Sequence, residues 1–365
     1  MATGDAHAMP LAPCESDLDF AEVGWAKPLF PRGQVDRAGQ LLVQSVGVPY
    51  PPGWDEALQV INNWRSSHSY PLQSMKMGLV QRAARVDDKA IVAQRLKRLS
   101  SIEIKLLRNP NMKLTQMQDL GGCRGIVRGP LHLDKLVRIY DGLQYSRKYD
   151  YISNPKPDGY RGVHFVRKYE SNLPQNQVWV GLRIETQLRT RLQHAWATAV
   201  ETVDTFSAQQ IKTGGGDQQW RRFFALIGSA IAKREGKPIV PGTPENEDTL
   251  KQELREAIQD LSALTVLNGW MAAVQRLPVV AKAGAQVFLL VLNTEQKTLE
   301  IVPFADEEGA RASEQYLQAE KKIQVARNAQ AVLVSVKSIR GLQAAYPNYF
   351  ADTSAFIQVV ERETA

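Results

Sequence analysis

Apolar and polar residues alternate with a period of two from Val178 to Arg189. Trp179, Gly181, Arg183, Glu185, Gln187 and Arg189 fall on one side of an extended chain, and Val178, Val180, Leu182, Ile184 and Leu188 on the other. At Thr190 the period changes. Leu192, Ala195, Trp196, Ala199, Val200 and Val203 recur at helical spacing, and Thr190 with Gln193 forms a capping box, so the pattern predicts a helix from Thr190 to about Gln210. A strand that feeds a helix with one apolar stripe is expected to be central, with its polar side lining a cleft.

The same reading divides the rest of the chain. Residues 1–50 read as an extended leader with a turn at Pro31 and the Pro51-Pro52-Gly53 breaker after it. Two helical patterns follow, Ala57, Leu58, Ile61 and Trp64, then Leu72, Met75, Leu79 and Val80 after Ser69-Tyr70-Pro71. A compact α/β region runs from about Ala90 to Gln210. A helix is predicted at Gln218–Arg234, then a polar, Pro-rich link at Lys237–Asp248, and helix again from Leu250 to Leu277. Strands at Val287–Leu292 and Thr298–Pro303, a helix at Glu307–Ala326, a strand at Ala331–Lys337 and a closing segment complete the chain. The boundaries expected are a leader (1–50), a main domain (51–236), a linker with connecting helices (237–280) and a small C-terminal domain (281–365).

Apolar residues make up 44% and charged residues 23%, which describes an ordinary globular protein rather than a disordered one. No basic-then-apolar signal opens the chain and no apolar run is long enough to span a membrane, so a cytoplasmic protein without a membrane partner is expected. Only Cys14 and Cys123 occur, and no Cys or His follows His194, so a C-terminal metal site would need oxygen ligands alone and zinc is not expected. The excess of seven positive charges is concentrated: residues 76–148 hold 16 Lys or Arg against six Asp or Glu, whereas residues 271–365 balance at ten against ten. Such a basic band suits a polyanion, a nucleoside triphosphate or RNA, with a solvated cationic surface as the plain alternative.

Several clusters carry candidate chemistry. Arg95 and Lys97 reach the same side of an extended segment, and Ser100 with Glu103 reads as a capping box for a helix bearing Lys105, where an anion would meet cations and free amides. Asp119 precedes the glycine-rich strand Gly121-Gly122-Cys123-Arg124. Asp119 and Glu185 could supply the two carboxylates of a magnesium-triphosphate site, although two carboxylates at strand ends also occur without a metal, and both readings stand on the residues alone. The loop Asn154-Pro155-Lys156-Pro157-Asp158-Gly159-Tyr160-Arg161-Gly162-Val163-His164 joins a turn, two cations, an exposed aromatic and a histidine. Tyr160 there could stack on a nucleobase or simply pack.

In order and spacing these pieces resemble the synthetase domain of the RelA/SpoT family over roughly residues 55–235. The matching residues are Arg95-x-Lys97-x-x-x-Ser101-Ile102-x-x-Lys105, Asp119-Leu120-Gly121-Gly122-x-Arg124, Asn154-Pro155-Lys156-x-x-Gly159-Tyr160-Arg161-x-x-His164, and Glu185-x-Gln187-x-Arg189-Thr190 with Trp196. The resemblance implies an α/β (α+β) fold with a nucleotidyltransferase-like mixed β-sheet and flanking helices. It also implies magnesium-dependent transfer of the β,γ-pyrophosphate of ATP to a ribose 3′-hydroxyl. Carried over by position, Asp119 is the main Mg2+ ligand and Glu185 a second ligand or the base. Arg95, Lys97, Ser101, Lys105 and Arg124 hold ATP; Tyr160, Lys156, Arg161, His164 and Gln187 form the acceptor pocket. Asp158 stands where the family usually has asparagine, and Gly162-Val163 where it has Ser-Leu, which weighs against a simple guanosine acceptor. The chain has no adjacent His-Asp pair, so an accompanying hydrolase domain is not expected.

The C-terminal part, with strands, one helix and no zinc ligand, is similar to the zinc-free "pseudo-zinc-finger" domain of the CapRel fused toxin-antitoxin proteins, and Tyr346-Pro347-Asn348-Tyr349 matches their Tyr-x-x-Tyr motif. That resemblance implies that Tyr346 and Tyr349 block the ATP site until a phage capsid-type protein binds the C-terminal domain. The released enzyme would then pyrophosphorylate the 3′-terminal adenosine of tRNA, stopping translation in anti-phage defence. Two alternatives are a small alarmone synthetase making (p)ppGpp from ATP and GDP or GTP, and a catalytically silent RNA-binding or phage-sensing module.

Overall fold

The computed structural model describes residues 25–45, 51–206, 218–273, 275–276, 285–293, 295–305, 308–326, 329–335, 339–350 and 352–365. Its strands are β1 (Ile91–Leu96), β2 (Gly121–Val127), β3 (Arg147–Asp150), β4 (Val163–Lys168), β5 (Arg183–Thr190), β6 (Gln275–Arg276), β7 (Val287–Asn293), β8 (Thr298–Phe304) and β9 (Ala329–Ser335). They form one mixed sheet in the order β3, β4, β5, β2, β1, β9, β7, β8, β6. The helices are α1 (Arg32–Gln44), α2 (Trp54–Ser66), α3 (Ser69–Val86), α4 (Leu99–Arg108), α5 (Pro130–Asp141) and α6 (Arg191–Phe206), then α7 (Gln218–Arg234), α8 (Glu247–Leu261), α9 (Ala263–Ala273), α10 (Gly309–Ala326), α11 (Ile339–Ala345) and α12 (Ser354–Thr364).

The expected mixed α/β sheet is present, and β5 is central, parallel to β2 on one side and antiparallel to β4 on the other. Its alternation holds from Arg183 but not before. Trp179 ends a 3₁₀ turn that starts at Pro174, and Gly181 has φ +86°, so the chain turns and Trp179 joins the core instead of facing the cleft. The capping box of α6 forms as its spacing predicts: the Thr190 amide donates to Gln193 Oε1 and the Gln193 amide to Thr190 Oγ1, both at 3.2 Å. The expected end of this helix near Gln210 lies outside the described residues.

Other expectations need correction. The leader contains helix α1, whose Val35, Ala38 and Leu42 bury against α2 and α4; Gly33 and Gly39 weaken its intrinsic helical signal, and packing decides. Residues 1–24 and 46–50 of the leader lie outside the described residues. Ser100 does not cap α4. The helix begins at Leu99 with Arg98 at the cap position and no side-chain cap bond. The Leu99 amide instead donates to Glu320 Oε1 at 2.9 Å, so a carboxylate from α10 serves that helix end. The helical stretch read as continuous from Leu250 divides at Ser262, which sits in the left-handed region at φ 48°.

One face of β1, β2, β4 and β5 is apolar and covered by α3 and α5, with Cys123, Phe165, Ile184 and Leu188 at its centre. The opposite face is polar near β5 but becomes apolar beyond β1. The two-residue pairing of β1 with β9, Gln94 with Ser335 and Arg95 with Val334, joins the C-terminal strands to the main sheet. Over that apolar part lie α11 and a 3₁₀ turn at Pro347–Phe350, whose Tyr346 and Tyr349 are fully buried with Ala93, Val332 and Val334. On the other face, α10 packs on β7 and β9. Helix α12 then returns to the main part of the chain, burying Phe356, Ile357, Val359 and Val360 in a cluster with α6, α7, α8 and α9. The C-terminal strands are thus an extension of the main sheet.

Polar contacts reinforce this seam. Arg65 and Glu320 form a buried ion pair at 2.6 Å, Tyr316 donates to Glu320 at 2.8 Å, and Lys76 Nζ donates to Ser335 Oγ at 2.8 Å. Breaking a buried pair leaves one charge stranded, so Glu320→Ala is expected to cost about 3–5 kcal/mol in a urea unfolding titration; a cost near that of a surface substitution would contradict the seam. His194, whose Nε2 lies 3.2 Å from the Ala344 carbonyl, is pushed down to about 3 by burial and by the Arg124 and Arg189 cations. Above pH 6.5 it is neutral whether folded or unfolded. Below that value the unfolded chain gains a proton the folded chain refuses, so stability falls toward pH 3 at up to about 1.4 kcal/mol per pH unit from this group. His194→Gln should flatten the decline measured between pH 6 and 4.

Candidate active site

The strand registers place the candidate residues in two rows across the polar face. Arg147, Val166, Glu185, Gly122 and Arg95 make the first, running from β3 to β1; Tyr149, His164, Gln187, Arg124 and Ala93 make the second. Asp119 stands just before β2, at the end of the sheet where the Lys97 amide donates to the Leu120 carbonyl at 2.8 Å. Glu185 is therefore flanked by the Arg95 side of the cleft on one hand and by the Tyr149 side on the other.

At the β1 side, Lys97 and Lys105 grip Asp119 Oδ2 and Oδ1 at 2.9 and 2.8 Å. Burial alone would raise the Asp119 carboxyl, but the two lysines outweigh it and hold the group at about 2. Ser101 stands in the first turn of α4. Arg124 is buried, and its guanidinium lies 4.9 Å over the Tyr346 ring and donates to the Ala345 carbonyl at 3.2 Å. Burial alone would lower the Arg95 guanidinium, but nearby charge led by the Glu201 carboxylate outweighs it and the group sits above its ordinary value. Of the residues expected to hold ATP, Lys97 and Lys105 meet at Asp119, Arg95 and Arg124 lie on the paired strands β1 and β2, and the Tyr346 ring lies over Arg124.

At the centre, His164 Nδ1 lies 2.9 Å from Glu185 Oε1 and Gln187 Nε2 donates to Glu185 Oε2 at 2.6 Å. Burial pushes the Glu185 carboxyl up, but the His164 ring and these bonds outweigh it, and the group sits below its ordinary value. Tyr160 Oη is 2.6 Å from His164 Nε2, and Arg189 Nη2 donates to Tyr160 Oη at 2.5 Å and to Gln187 Oε1 at 2.9 Å. One assignment satisfies every link: Arg189 donates to Tyr160, Tyr160 to His164 Nε2, and His164 Nδ1–H to Glu185. Both oxygens of Glu185 are therefore oriented by chains rooted in Arg189, a role that the strand alternation hinted at but could not specify.

The loop before β4 is locked by close packing. At Gly159, with φ +90°, a Cβ would stand 2.7 Å from the Phe224 carbonyl oxygen and 2.9 Å from the Trp196 ring. A Cβ at Gly162 would meet Arg189 Cγ at 3.2 Å, so glycine here makes room for the arginine. Tyr160 is half-buried rather than exposed, edge-on to Tyr151, His164 and Trp196, with Lys156 Nζ 5.3 Å and Arg189 Cζ 4.9 Å from its ring centre. Arg161 does not join this group. It is buried and donates to the Ile152 and Pro238 carbonyls at 3.2 and 2.7 Å, tying the loop to the segment read as a link.

Among the described residues no three His, Cys, Asp or Glu side chains converge on one point. Mg2+ needs no such cage, because it takes one or two carboxylates and completes its shell with phosphate and water. Asp119 and Glu185 fit that demand: both are held in the anionic form, each carboxylate oxygen keeps a lone pair beyond its present bond, and Asp119 is near enough to raise Glu185 electrostatically.

Residues 94–207, which contain most of these groups, match the family model described as a region found in RelA / SpoT proteins. The chain is 29% identical over 112 residues to the GTP pyrophosphokinase YwaC of Bacillus subtilis (strain 168), an alignment covering 28% of this chain and 52% of that protein. It thus spans about half the length of the curated relative it matches. In structure it is similar to small alarmone synthetase 1 from Bacillus subtilis bound to its product pppGpp, with TM-score 0.40, 18% identity, and coverage of 51% of this chain and 94% of the other. A GTP pyrophosphokinase family protein from Streptococcus pneumoniae aligns with TM-score 0.38, 23% identity, and coverage of 59% and 98%. No helix among the described residues is long and apolar enough to cross a membrane.

Arg189→Met removes the donor at the root of both chains while leaving the His164–Glu185 contact in place. It is expected to cost about 1–3 kcal/mol of stability, because Tyr160 and Gln187 are left with unmet partners. Equal urea midpoints for the variant and the parent would contradict the network.

Proposed function

We propose that this protein is an ATP-dependent pyrophosphokinase that transfers the β,γ-pyrophosphate of ATP to the 3′-hydroxyl of the 3′-terminal adenosine of tRNA, and that the arrangement described is its autoinhibited form. The observation that carries the reading is the cross-strand row Arg95, Gly122 and Glu185, with Asp119 and its two lysines at the adjoining end of the sheet, which sets a base-like carboxylate between a cationic donor side and an aromatic acceptor side. ATP would lie against Arg95, Lys97, Ser101, Lys105 and Arg124. Glu185, oriented by His164 and Gln187, would take the proton of the acceptor hydroxyl. The hydroxyl oxygen would bond to the β-phosphorus as the bond from that phosphorus to the α,β-bridging oxygen breaks, with AMP leaving. Mg2+, held by Asp119 and Glu185 with the nucleotide's phosphates, would neutralise charge on the transferred group. Tyr160 and Lys156 would face the acceptor base.

Tyr346 over Arg124 supports the autoinhibitory part, since that arginine is engaged by the C-terminal segment where ATP would need it, and Tyr346 and Tyr349 are buried in one cluster with Ala93 and Val334, on the strands that carry Arg95 and its partner. A partner that binds the C-terminal part better when it is released would shift the equilibrium toward activity by that preference alone. By resemblance we assign this role to a phage capsid-type protein, acting in anti-phage defence. A second reading is favoured by the likeness to a GTP pyrophosphokinase: synthesis of (p)ppGpp from ATP and GDP or GTP.

Incubation with ATP labelled at the γ-phosphate, together with deacylated tRNA or GDP, separates the two. Label in tRNA is expected; label only in the small nucleotide would reject the tRNA acceptor. Glu185→Gln should lower the rate by at least about 10²-fold. Tyr346→Ala and Tyr349→Ala should each raise it several-fold, and rates unchanged from the parent would refute the autoinhibitory contact.

A further inference from the structure

The two ends of the cleft face are finished differently. At the donor side the row runs from Arg95 into Val334 of β9 and is covered by α11 and the Pro347–Phe350 turn. At the acceptor side it runs out to β3, which pairs with β4 alone among the described residues and so forms a sheet edge. On that edge Arg147 and Tyr149 share the face of His164 and Glu185, and Tyr151 follows two residues on, its amide donating to the Gly162 carbonyl at 3.0 Å. The rings of Tyr149 and Tyr151 are 6.0 Å apart and only 9° from parallel, and the Tyr151 ring is 5.6 Å from Tyr160. Cations accompany each step: Lys156 Nζ is 4.4 Å from the Tyr151 ring centre and Arg147 Cζ 5.9 Å from that of Tyr149. The nearby Asp150 carboxylate is turned to the Ile152 and Ser153 amides and the Ser153 hydroxyl.

Rings alternating with cations along an open edge match a single-stranded nucleic acid, whose bases stack without regard to sequence while its phosphates meet the cations. A free nucleotide would be accommodated at Tyr160 and Glu185 alone and would have no use for Tyr149 or Arg147. We infer that the β3 edge, through Arg147, Tyr149 and Tyr151, is a path for the single-stranded 3′ tail of an RNA acceptor, leading its last ribose to Glu185. This deepens the proposed acceptor and rests on it. The path lies away from the covered donor side, so RNA can bind while the C-terminal segment remains in place.

Equilibrium binding of the full chain to a fluorescein-labelled RNA hairpin tests the path without reading activity. One hairpin carries a single-stranded 3′ tail of about four nucleotides, and the other is blunt. The tailed RNA should bind more tightly. Tyr149→Ala should weaken that binding roughly five- to tenfold and leave the blunt hairpin and GDP unaffected; Tyr149→Phe, which keeps the ring, should bind as the parent does. Arg147→Gln should reduce the salt dependence of binding by about one unit of slope. Equal binding of the two hairpins, a Tyr149→Ala protein that binds like the parent or loses GDP as well, or a Tyr149→Phe protein as weak as the alanine variant would each overturn the inference. Failure to transfer label to tRNA while these binding differences hold would reject the acceptor assignment and spare the path.

Discussion

The parallel pairing of β2 with β5 is the constraint on which the rest of the site depends. It sets Gly122 beside Glu185 and Arg124 beside Gln187, and so decides which donor-side groups share a face with the base-like carboxylate. A slip of one residue would send Glu185 into the apolar layer under α3 and α5 and bring Ile184 into the cleft. The burial of Ile184, Thr186 and Leu188 against that layer makes such a slip costly. Parallel strands cannot be joined by a tight turn, and the long crossover between them holds α5, β3 and β4, which carry the residues of the proposed acceptor side. Topology thus places two groups of candidate site residues around one strand pair.

Charge is distributed along this frame in an ordered way. Asp119 pairs with two lysines, while Glu185 is oriented by His164 and Gln187, which both lead back to Arg189. The two carboxylates are therefore ionised for different reasons, one by direct ion pairing and one mainly by the histidine beside it. The C-terminal extension adds few charges of its own to this region. Among the described residues its contacts with Arg65, Arg98 and Arg124 include the Glu320 carboxylate, the Gln330 amide oxygen, the Tyr316 and Tyr346 rings and the Ala345 carbonyl. Several polar atoms of this seam, among them Tyr346 Oη, Tyr349 Oη and Thr353 Oγ1, are buried with no hydrogen-bond partner. Such groups cost free energy that apolar packing must offset, which suits a contact made to be reversible under the proposed function.

Much of the main sheet was legible because its signals are local. The period change at Thr190, the capping box with Gln193 and the strand-sized apolar run at Val287 each depend on residues close in sequence, and all three elements form. Helix α1 escaped because its stripe is short and interrupted by glycines, and its stability comes from α2 and α4. Ser100 matches a local capping pattern, but the group that serves the start of α4, Glu320, lies 221 residues away. Arg161 stands between two acceptor-side residues in sequence, yet the loop turns its side chain inward to two carbonyls.

What the sequence determined by itself was the kind of chemistry available: two carboxylates, a set of arginines and lysines at strand and helix starts, and a glycine-bearing loop with a tyrosine and a histidine. Spacing can specify these because side-chain direction alternates within a strand and recurs within a helix. Only the tertiary structure decided how they are shared out. Register set Arg95, Glu185 and Arg147 in one row, packing against Phe224 and Trp196 fixed the loop that carries Tyr160, and a two-residue pairing of β1 with β9 brought Tyr346 over Arg124. Contacts between residues so far apart follow from strand order and burial, and no local pattern encodes them.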